Sequence, residues 1–216
     1  MNVNVLYQDK YLFICEKPVG IPSESPGLPD LVFSQTGRKA YPVHRLDQGT
    51  GGVCVLAFSS GACAKMQNLF QQGQVSKEYF AVISGKPDGT SGILEDYLFH
   101  DKRKNKSYVV KRIRSGVKKA LCEWHLVCST DHDHQTVSLI RIILHTGRTH
   151  QIRVQFGSRG LPLVGDRKYG SRIKADAPAL WAGSVCFPHP FLQNSTVRAA
   201  SSPPSVFPWT LFHGLT

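Results

Sequence analysis

The chain has 216 residues, of which 41% are hydrophobic and 19% charged, so its composition is that of a folded domain and excludes a disordered chain. Lysine and arginine number 26 against 15 acidic residues, which gives a formal net charge of +11. This excess favours a polyanionic partner, with RNA or DNA ahead of an anionic membrane surface.

The cysteines and the N-terminus indicate the compartment. None of the six cysteines forms a C-x-x-C pair, and several lie inside apolar runs, so we expect buried thiols in a reducing environment and no zinc site. Asp9 and Lys10 interrupt the first apolar stretch, which argues against a signal peptide. No apolar run approaches the ~20 residues of a spanning helix. We therefore expect a cytoplasmic protein.

Short apolar runs rich in β-branched and aromatic residues predict strands along the chain. They lie at 11–17, 53–58, 76–84, 120–130 and 135–145, with an edge strand at 180–187. The run 53–58 is continuous and predicts a central strand covered on both faces. The pair 120–130 and 135–145 flanks the polar turn D-H-D-H and predicts a hairpin.

Two helices are predicted from apolar spacing and capping residues. The first spans 60–72, with Ser59 or Ser60 as its cap, and the second spans 149–156, with Thr149 as its cap. Many strands and few helices predict an α+β fold built on a mixed, mostly antiparallel sheet with a few flanking helices and loops.

Three further segments have distinctive compositions. Residues 18–30 hold four prolines and predict a long ordered loop or a mobile arm. Residues 100–119 hold nine lysines or arginines and no acid after Asp101. Residues 201–216 lack a clear period and are predicted to be a C-terminal tail.

The stretch H-R-L-D-Q-G-T-G-G at 44–52 is the first candidate site. Its glycines permit a tight turn and close approach of a substrate, so Asp47 is placed as a nucleophile or base ahead of a rigid strand. The alternative is an aspartate that caps a loop through its own backbone.

Two other stretches suit RNA. Arg148 precedes a predicted helix start, where an anion is favoured, and Arg153 could face a backbone phosphate. Strand alternation places Lys77 and Tyr79 on one face, where a ring can stack on a base and an ammonium can meet a phosphate. The alternatives are a solvated arginine and a core tyrosine.

Taken together, these stretches resemble the RluA-like family of pseudouridine synthases. The family signature H-R-L-D-x-x-T-S-G before an apolar strand is matched at 44–58, with glycine instead of serine at 51. K-x-Y is matched at 77–79, and T-G-R-T-H-Q-I-R is matched letter for letter at 146–153. His44 favours this branch over the RsuA-like relatives, which usually have glycine there.

The resemblance extends over roughly residues 3–190. A hydrophobic-G-D-x-x-Y-G element is matched at 164–170, and the opening segment is similar to the family's leading strands and K-P-x-G turn. One further departure is Trp181-Ala182, which stands where the family often has a leucine-histidine-alanine stretch. The implied architecture is a catalytic domain at 1–200 and a tail at 201–216, with no S4-type RNA-binding domain.

By resemblance, the chain converts uridine in ribosomal or transfer RNA to pseudouridine, with no cofactor and no metal. Asp47 is implied as the catalytic aspartate, with Arg148 keeping its carboxylate charged and Tyr79 lying against the flipped base to remove a proton. The remaining residues implied to bind substrate are His44, Arg45, Lys77, Arg153 and, as an apolar wall, Val164.

The expected partner is an RNA stem-loop recognised by shape, with residues 100–119 following its backbone. We expect a monomer.

Two other functions stay open. A non-catalytic RNA-binding or RNA-remodelling protein would share the basic charge but would not need an acid such as Asp47 facing polyanionic RNA. A hydrolytic nuclease or a deaminase would need clustered carboxylates or a zinc set. The acids here are scattered, and D-H-D-H is typical of a solvated turn.

Overall fold

The computed structural model describes residues 1–212, which contain eleven β-strands, three α-helices and two short 3-10 turns. The strands are β1 (Val5–Gln8), β2 (Leu12–Lys17), β3 (Tyr41–Pro42), β4 (Gly51–Ala57), β5 (Ser76–Ser84), β6 (Ser91–Asp101), β7 (Lys106–Val109), β8 (Val117–His132), β9 (Gln135–Leu144), β10 (Leu180–Pro188) and β11 (Thr196–Ala200). The helices are α1 (Leu28–Thr36), α2 (Ser60–Gln71) and α3 (Gln151–Gly157), and the 3-10 turns are Arg167–Tyr169 and Trp209–Leu211.

These elements divide into two compact units. The first unit comprises Met1–Glu78 and Trp181–Pro203, and the second comprises Tyr79–Leu180 and the described part of Pro204–Thr216. Each unit has hydrophobic clusters of its own.

The first unit is organised around β4. All seven residues of β4 are buried, and the strand lies between β2 and β10 in the order β1-β2-β4-β10, with β3 on β4 and β11 on β10. The pairing of β4 with β10 is parallel, and the other described pairs of this unit are antiparallel. The prediction of a central strand at 53–58 is confirmed, because a continuous apolar run suits a strand covered on both faces.

Helix α2 forms where the apolar spacing predicts it. The Ser59 hydroxyl accepts a hydrogen bond from the Ala62 amide at 3.1 Å, so the predicted cap is confirmed. Ala62, Cys63 and Met66 are buried together with the apolar side chains of β2 and β4.

Helix α1 begins inside the segment that its prolines predict to be a loop. Residues 18–27 are irregular, but a helix starts at Leu28, and proline at the next position is compatible with a first helical turn. The Asp30 carboxylate accepts from the Gly27 amide at 2.7 Å and closes that turn. The helix was not predicted because the four prolines of residues 18–30 indicate a loop over the whole segment.

The second unit contains strands in the order β5-β9-β8-β6-β7. The predicted hairpin is confirmed as β8 and β9, which pair antiparallel around Asp133 and His134. Both turn residues have positive φ, 48° and 60°, as a two-residue turn between twisted strands requires.

One core cluster of the second unit includes residues from the predicted tail. Phe212 is buried with Val82, Leu139 and Val164, and Trp209 and Leu211 pack against the same cluster. Residues 213–216 of the predicted tail lie outside the described residues.

Several strand assignments need correction. The prediction of an edge strand at 180–187 is wrong, because β10 has β4 on one side and β11 on the other, and the short strand β11 went unrecognised. Strands β6 and β7 were also missed; β7 and the start of β8 lie inside the basic segment, whose charges conceal their period.

The fold class is α+β with a mixed, mostly antiparallel arrangement of strands, as predicted. Within residues 1–212, no helix is both long and apolar enough to cross a bilayer.

Candidate active site

Asp47 lies on a tight turn that leads directly into β4. Its carbonyl oxygen accepts a hydrogen bond from the Thr50 amide at 2.9 Å, and Gln48 and Gly49 form the corner. Because β4 is buried along its whole length, the turn is attached to one of the most enclosed strands of its unit. The carboxylate is therefore carried on a firmly held backbone.

Lys17 anchors the same turn and was not singled out from the sequence. Its side chain is 0% exposed, and its ammonium donates to the carbonyl oxygens of Pro18 at 2.9 Å, Ile21 at 2.7 Å and Gln48 at 3.4 Å. Burial lowers the pKa of Lys17 to about 8, while the nearby Cys54 and Asp47 oppose the shift. The lysine is thus still cationic at neutral pH. The K-P-V-G letters at 17–20 were the available signal.

His44 makes internal contacts in the first unit. Its Nε2 accepts a hydrogen bond from the Val55 amide at 3.1 Å, and its ring stacks on Phe70 with centroids 5.0 Å apart. Burial, reinforced by the positive charge of Lys77, lowers the pKa of His44 to about 4. The imidazole is therefore neutral, with its hydrogen on Nδ1, and it braces β4 behind the Asp47 turn. Its expected contact with substrate stays a prediction.

The two other predicted binding residues of this unit lie near the surface. Arg45 forms an exposed ion pair with Glu24 at 3.2 Å. Such a pair contributes about 0–1 kcal/mol, so Arg45 can exchange this partner for a phosphate at little cost. Lys77 Nζ lies 5.8 Å from the centroid of the Phe70 ring.

Tyr79 and Val164 are both buried in the second unit. Tyr79, on β5, is 8% exposed. Val164 is fully buried in a hydrophobic cluster, and its amide donates to the Val82 carbonyl at 2.8 Å. The predicted role of Val164 as an apolar wall for the base stays a prediction.

Arg148 lies on a loop of the second unit that is tied to β8. Its Nε donates to the Lys119 carbonyl at 2.9 Å, and its amide donates to Oε1 of Gln151 at 3.0 Å. The Gln151 Nε2 donates to the Leu121 carbonyl at 3.2 Å. Nε is one of five N–H donors of a guanidinium, so this anchor fixes the plane in which the terminal nitrogens meet an anion.

Helix α3 starts later than predicted, at Gln151, and Thr149 does not cap it. The N-cap is His150, in the left-handed conformation with φ 55°, and no side-chain cap bond is made there. The Gln151 side chain instead accepts from the Arg148 amide, which lies before the helix. Arg148 is therefore three residues before the start of the helix, on an irregular loop.

Arg153 forms a buried ion pair instead of pointing to solvent. Its Nε lies 2.6 Å and its Nη2 2.9 Å from the two carboxylate oxygens of Asp166, and its side chain is 9% exposed. The guanidinium also lies 5.2 Å from the centroid of the Tyr169 ring. The pair joins α3 to the G-D-x-x-Y-G element. The predicted contact of Arg153 with substrate stays a prediction.

The basic segment 100–119 forms the turn between β6 and β7, strand β7, the following loop and the start of β8. Eight of its nine cationic side chains are exposed. Tyr97 and Tyr108 add partly exposed rings on the same pair of strands. Cations interleaved with aromatic rings are typical of a surface that binds nucleic acid.

The described residues offer no cluster of three or more His, Cys, Asp or Glu side chains that would suit a metal ion. The D-H-D-H turn at 131–134 belongs to the β8–β9 hairpin.

Comparison with known proteins assigns the chain to a family. Residues 11–158 match the family described as RNA pseudouridylate synthase. The dual-specificity RNA pseudouridine synthase RluA of Escherichia coli strain K12 is 31% identical over 202 residues, which cover 88% of this chain and 89% of that protein. The chain belongs to the RNA pseudouridylate synthase family. The resemblance to its RluA-like branch is confirmed.

An uncharacterised RNA pseudouridine synthase of Aquifex aeolicus is 32% identical over 184 residues, which cover 78% of this chain and 56% of that protein. The chain thus spans little more than half the length of this relative. Among solved structures of the family, human RNA pseudouridylate synthase domain containing 1 has a TM-score of 0.81 at 20% identity, covering 95% of this chain and 85% of that one. This likeness shows the fold.

The two departures from the pseudouridine synthase signatures touch each other in the structure. A Cβ atom at Gly51 would collide with Cζ3 of Trp181, because the two would lie closer than side-chain atoms approach one another. Trp181 is buried, and its indole N–H donates to the Ser201 carbonyl at 3.1 Å. Glycine at position 51 therefore makes room for the tryptophan.

Proposed function

We propose that the chain is an RNA pseudouridine synthase, which isomerises uridine to pseudouridine in ribosomal or transfer RNA without a cofactor. The observation that carries the proposal is the Asp47 turn: the family's H-R-L-D signature, held in front of a fully buried strand and tied by Lys17. The proposed catalytic residues are Asp47, Tyr79 and Arg148.

The reaction balances within the substrate itself. The bond from the sugar to N1 of uracil breaks, the base rotates, a bond from the sugar to C5 forms, and the proton on C5 is lost while N1 gains one. Asp47 would attack the sugar or stabilise the detached intermediate, which requires an ionised carboxylate. Arg148 would keep that carboxylate charged, and Tyr79 would lie against the base and take the C5 proton.

The target uridine must leave its stack before it reacts, at a cost of about a few kcal/mol. Binding to the basic surface of residues 100–119 would offset this cost by contacts with the RNA backbone. A stem-loop fits because its bases unstack most readily. Arg45 would take a phosphate of the same RNA.

The remaining attributes of the proposal concern the whole protein. We assign residues 1–200 to the catalytic domain and expect a cytoplasmic monomer. All six cysteines are free thiols, which supports a reducing compartment.

The test uses RNA labelled with tritium at C5 of uridine, because isomerisation releases that hydrogen to water. Wild-type protein should release tritium, and Asp47→Asn should not, while Asp88→Asn, an exposed aspartate outside the signatures, should match the wild type. Carbodiimide mapping of total RNA from cells with and without the gene identifies the uridine.

If Asp47→Asn retains activity, the catalytic assignment is wrong. If wild-type protein binds RNA but releases no tritium from any cellular RNA, a non-catalytic RNA-binding protein is the better description.

A further inference from the structure

Ser107 lies at the centre of the basic segment and is nevertheless 1% exposed. It is on β7, opposite His100 of β6, and its neighbour Tyr108 is exposed. A serine this deeply buried requires hydrogen-bond partners, and those partners lie on a different part of the second unit.

The Ser107 hydroxyl links two groups, one on the loop after Arg148 and one on β6. It donates to the Thr149 carbonyl at 2.6 Å, and its oxygen lies 3.2 Å from Nδ1 of His100. Because a hydroxyl has one hydrogen and that hydrogen goes to Thr149, His100 must be the donor of the second bond. The serine therefore passes a chain of hydrogen bonds from β6 to the residue that follows Arg148.

The Ser107 backbone makes a second, parallel link. Its amide donates to the Tyr169 phenol oxygen at 2.8 Å, and that oxygen lies 2.9 Å from Nδ1 of His150. The phenol oxygen therefore accepts from the Ser107 amide and also hydrogen-bonds the His150 ring. One residue of β7 thus contacts Thr149 directly and His150 through Tyr169.

Both contacts fall on the loop that carries Arg148. His150 has φ 55°, a backbone conformation that costs a residue with a side chain about 1–2 kcal/mol and persists only where neighbours enforce it. The other side of the loop is fixed to β8 through Gln151 and Leu121. The contacts through Ser107 therefore connect the loop to the β6–β7 hairpin, and the rings of His100 and His150, with centroids 6.1 Å apart, add a contact between the same two elements.

Strands β6 and β7 form a hairpin whose turn is basic and exposed. Lys102, Arg103 and Lys104 follow Asp101, whose carboxylate accepts from the Arg103 and Lys104 amides at 2.9 and 3.1 Å. The three cations are exposed and lie in the turn just before β7, so a polyanion that they attract would bind beside the strand that carries Ser107.

We propose that Ser107 is a positioning residue that couples the docking of RNA on the basic turn of the β6–β7 hairpin to the setting of the loop that carries Arg148. This inference rests on the proposed function, since it assumes that Arg148 serves the reaction. The β6–β7 hairpin then has two roles. It binds RNA, and the RNA bound at its basic turn also holds the Arg148 loop in place.

The test is a double-mutant cycle measured by tritium release at saturating RNA. The basic-turn variant Lys102→Gln, Arg103→Gln, Lys104→Gln should raise KM and also lower kcat several-fold. Ser107→Ala should lower kcat by about tenfold or more with little change in KM, because a misplaced catalytic group costs rate. Combined, the two changes should lower kcat no further than Ser107→Ala alone, while KM still rises.

Ser138→Ala is the matched control. Ser138 is another fully buried serine of the second unit, and its hydroxyl donates to the Gly85 carbonyl at 2.8 Å. Ser138→Ala should lower the free energy of unfolding about as much as Ser107→Ala does, but it should leave kcat unchanged. A kcat of Ser107→Ala equal to that of Ser138→Ala, or additive kcat effects in the cycle, would overturn the proposal. Tyr169→Phe, which removes the parallel link, replaces Ser107→Ala if that variant does not fold.

A second readout separates this inference from the proposed function. Amide hydrogen exchange at Thr149 and His150 should slow when RNA binds to the wild type and should not slow in Ser107→Ala. If wild-type protein releases no tritium, the proposed function fails, yet the exchange difference still decides whether Ser107 connects hairpin and loop. Equal exchange in both proteins contradicts the coupling.

Discussion

Trp181 occupies the space that a side chain at position 51 would need. Gly51 and Trp181-Ala182 are the two departures from the family pattern. The contact between Gly51 and Trp181 makes these two departures one feature, because neither the tryptophan nor the serine fits with the other present.

This contact predicts a coupled pair of substitutions. Gly51→Ser should destabilise the protein by about 1–3 kcal/mol through overpacking, and Trp181→His should destabilise it because less apolar surface is buried. The double variant should lose less free energy of unfolding than the two single variants lose in sum. Urea unfolding of all four proteins measures this, and strict additivity would show that the two sites are independent.

His44 predicts how stability depends on pH. Its pKa is about 4 in the folded chain and 6.5 in an unfolded one, so between these values the unfolded state binds a proton that the folded state does not. Stability is therefore full above pH 6.5 and falls by about 3 kcal/mol as the pH drops to 4. His44→Gln keeps an acceptor for the Val55 amide without titrating.

Unfolding at several pH values should accordingly give a flatter curve for His44→Gln than for the wild type. A wild-type curve that is equally flat between pH 4 and 6.5 would mean that His44 is not held neutral.

At the scale of elements, the buried pair of Arg153 and Asp166 joins α3 to the 3-10 turn Arg167–Tyr169. Arg153→Met should cost about 3–5 kcal/mol, because it leaves the Asp166 carboxylate buried without its partner. Arg159→Met, which removes a more exposed partner of Asp96, should cost clearly less. Thermal unfolding compares the two, and equal losses would contradict the role of burial.

The strands predicted best are those that contain a run of apolar residues. The predicted bounds of β5, 76–84, match the structure, and the hairpin of β8 and β9 was found because two long apolar runs flank a polar turn. Strands β6 and β7 were missed because the adjacent acids Glu95 and Asp96 interrupt the apolar residues of β6, and because β7 lies in a basic run. Tertiary pairing, not local sequence, makes them strands.

The candidate site divides in the same way. The Asp47 turn was readable because glycines and an apolar strand flank it, so local rules are enough. Ser107 was not readable, since its partner Thr149 lies 42 residues away and a serine in a basic run has no periodic signal. Lys17 was likewise concealed, because two of its carbonyl partners become neighbours only when the loop 18–21 folds around it and the third, Gln48, lies 31 residues away.

At the scale of the whole molecule, the net charge of +11 predicts binding to RNA that weakens with salt. Replacing Lys111, Arg112 and Lys118 by glutamine should reduce the slope of log affinity against log salt by about 0.7–0.9 for each phosphate that the protein then leaves unneutralised. Replacing Lys86, Arg172 and Lys174, three exposed cations outside the basic segment, changes the charge equally.

Fluorescence anisotropy with labelled RNA at several salt concentrations measures both slopes. The first set should flatten the slope and the second should leave it almost unchanged. Equal changes would mean that net charge matters and its location does not.

The packing of Gly51 on Trp181 also constrains the history of the chain. If the ancestor had serine and histidine at these positions, the tryptophan could not have come first, because serine would have met its ring. The change to glycine must have come earlier, in a protein that tolerated a small void. With the tryptophan in that space, serine can return at position 51 only after position 181 has changed again.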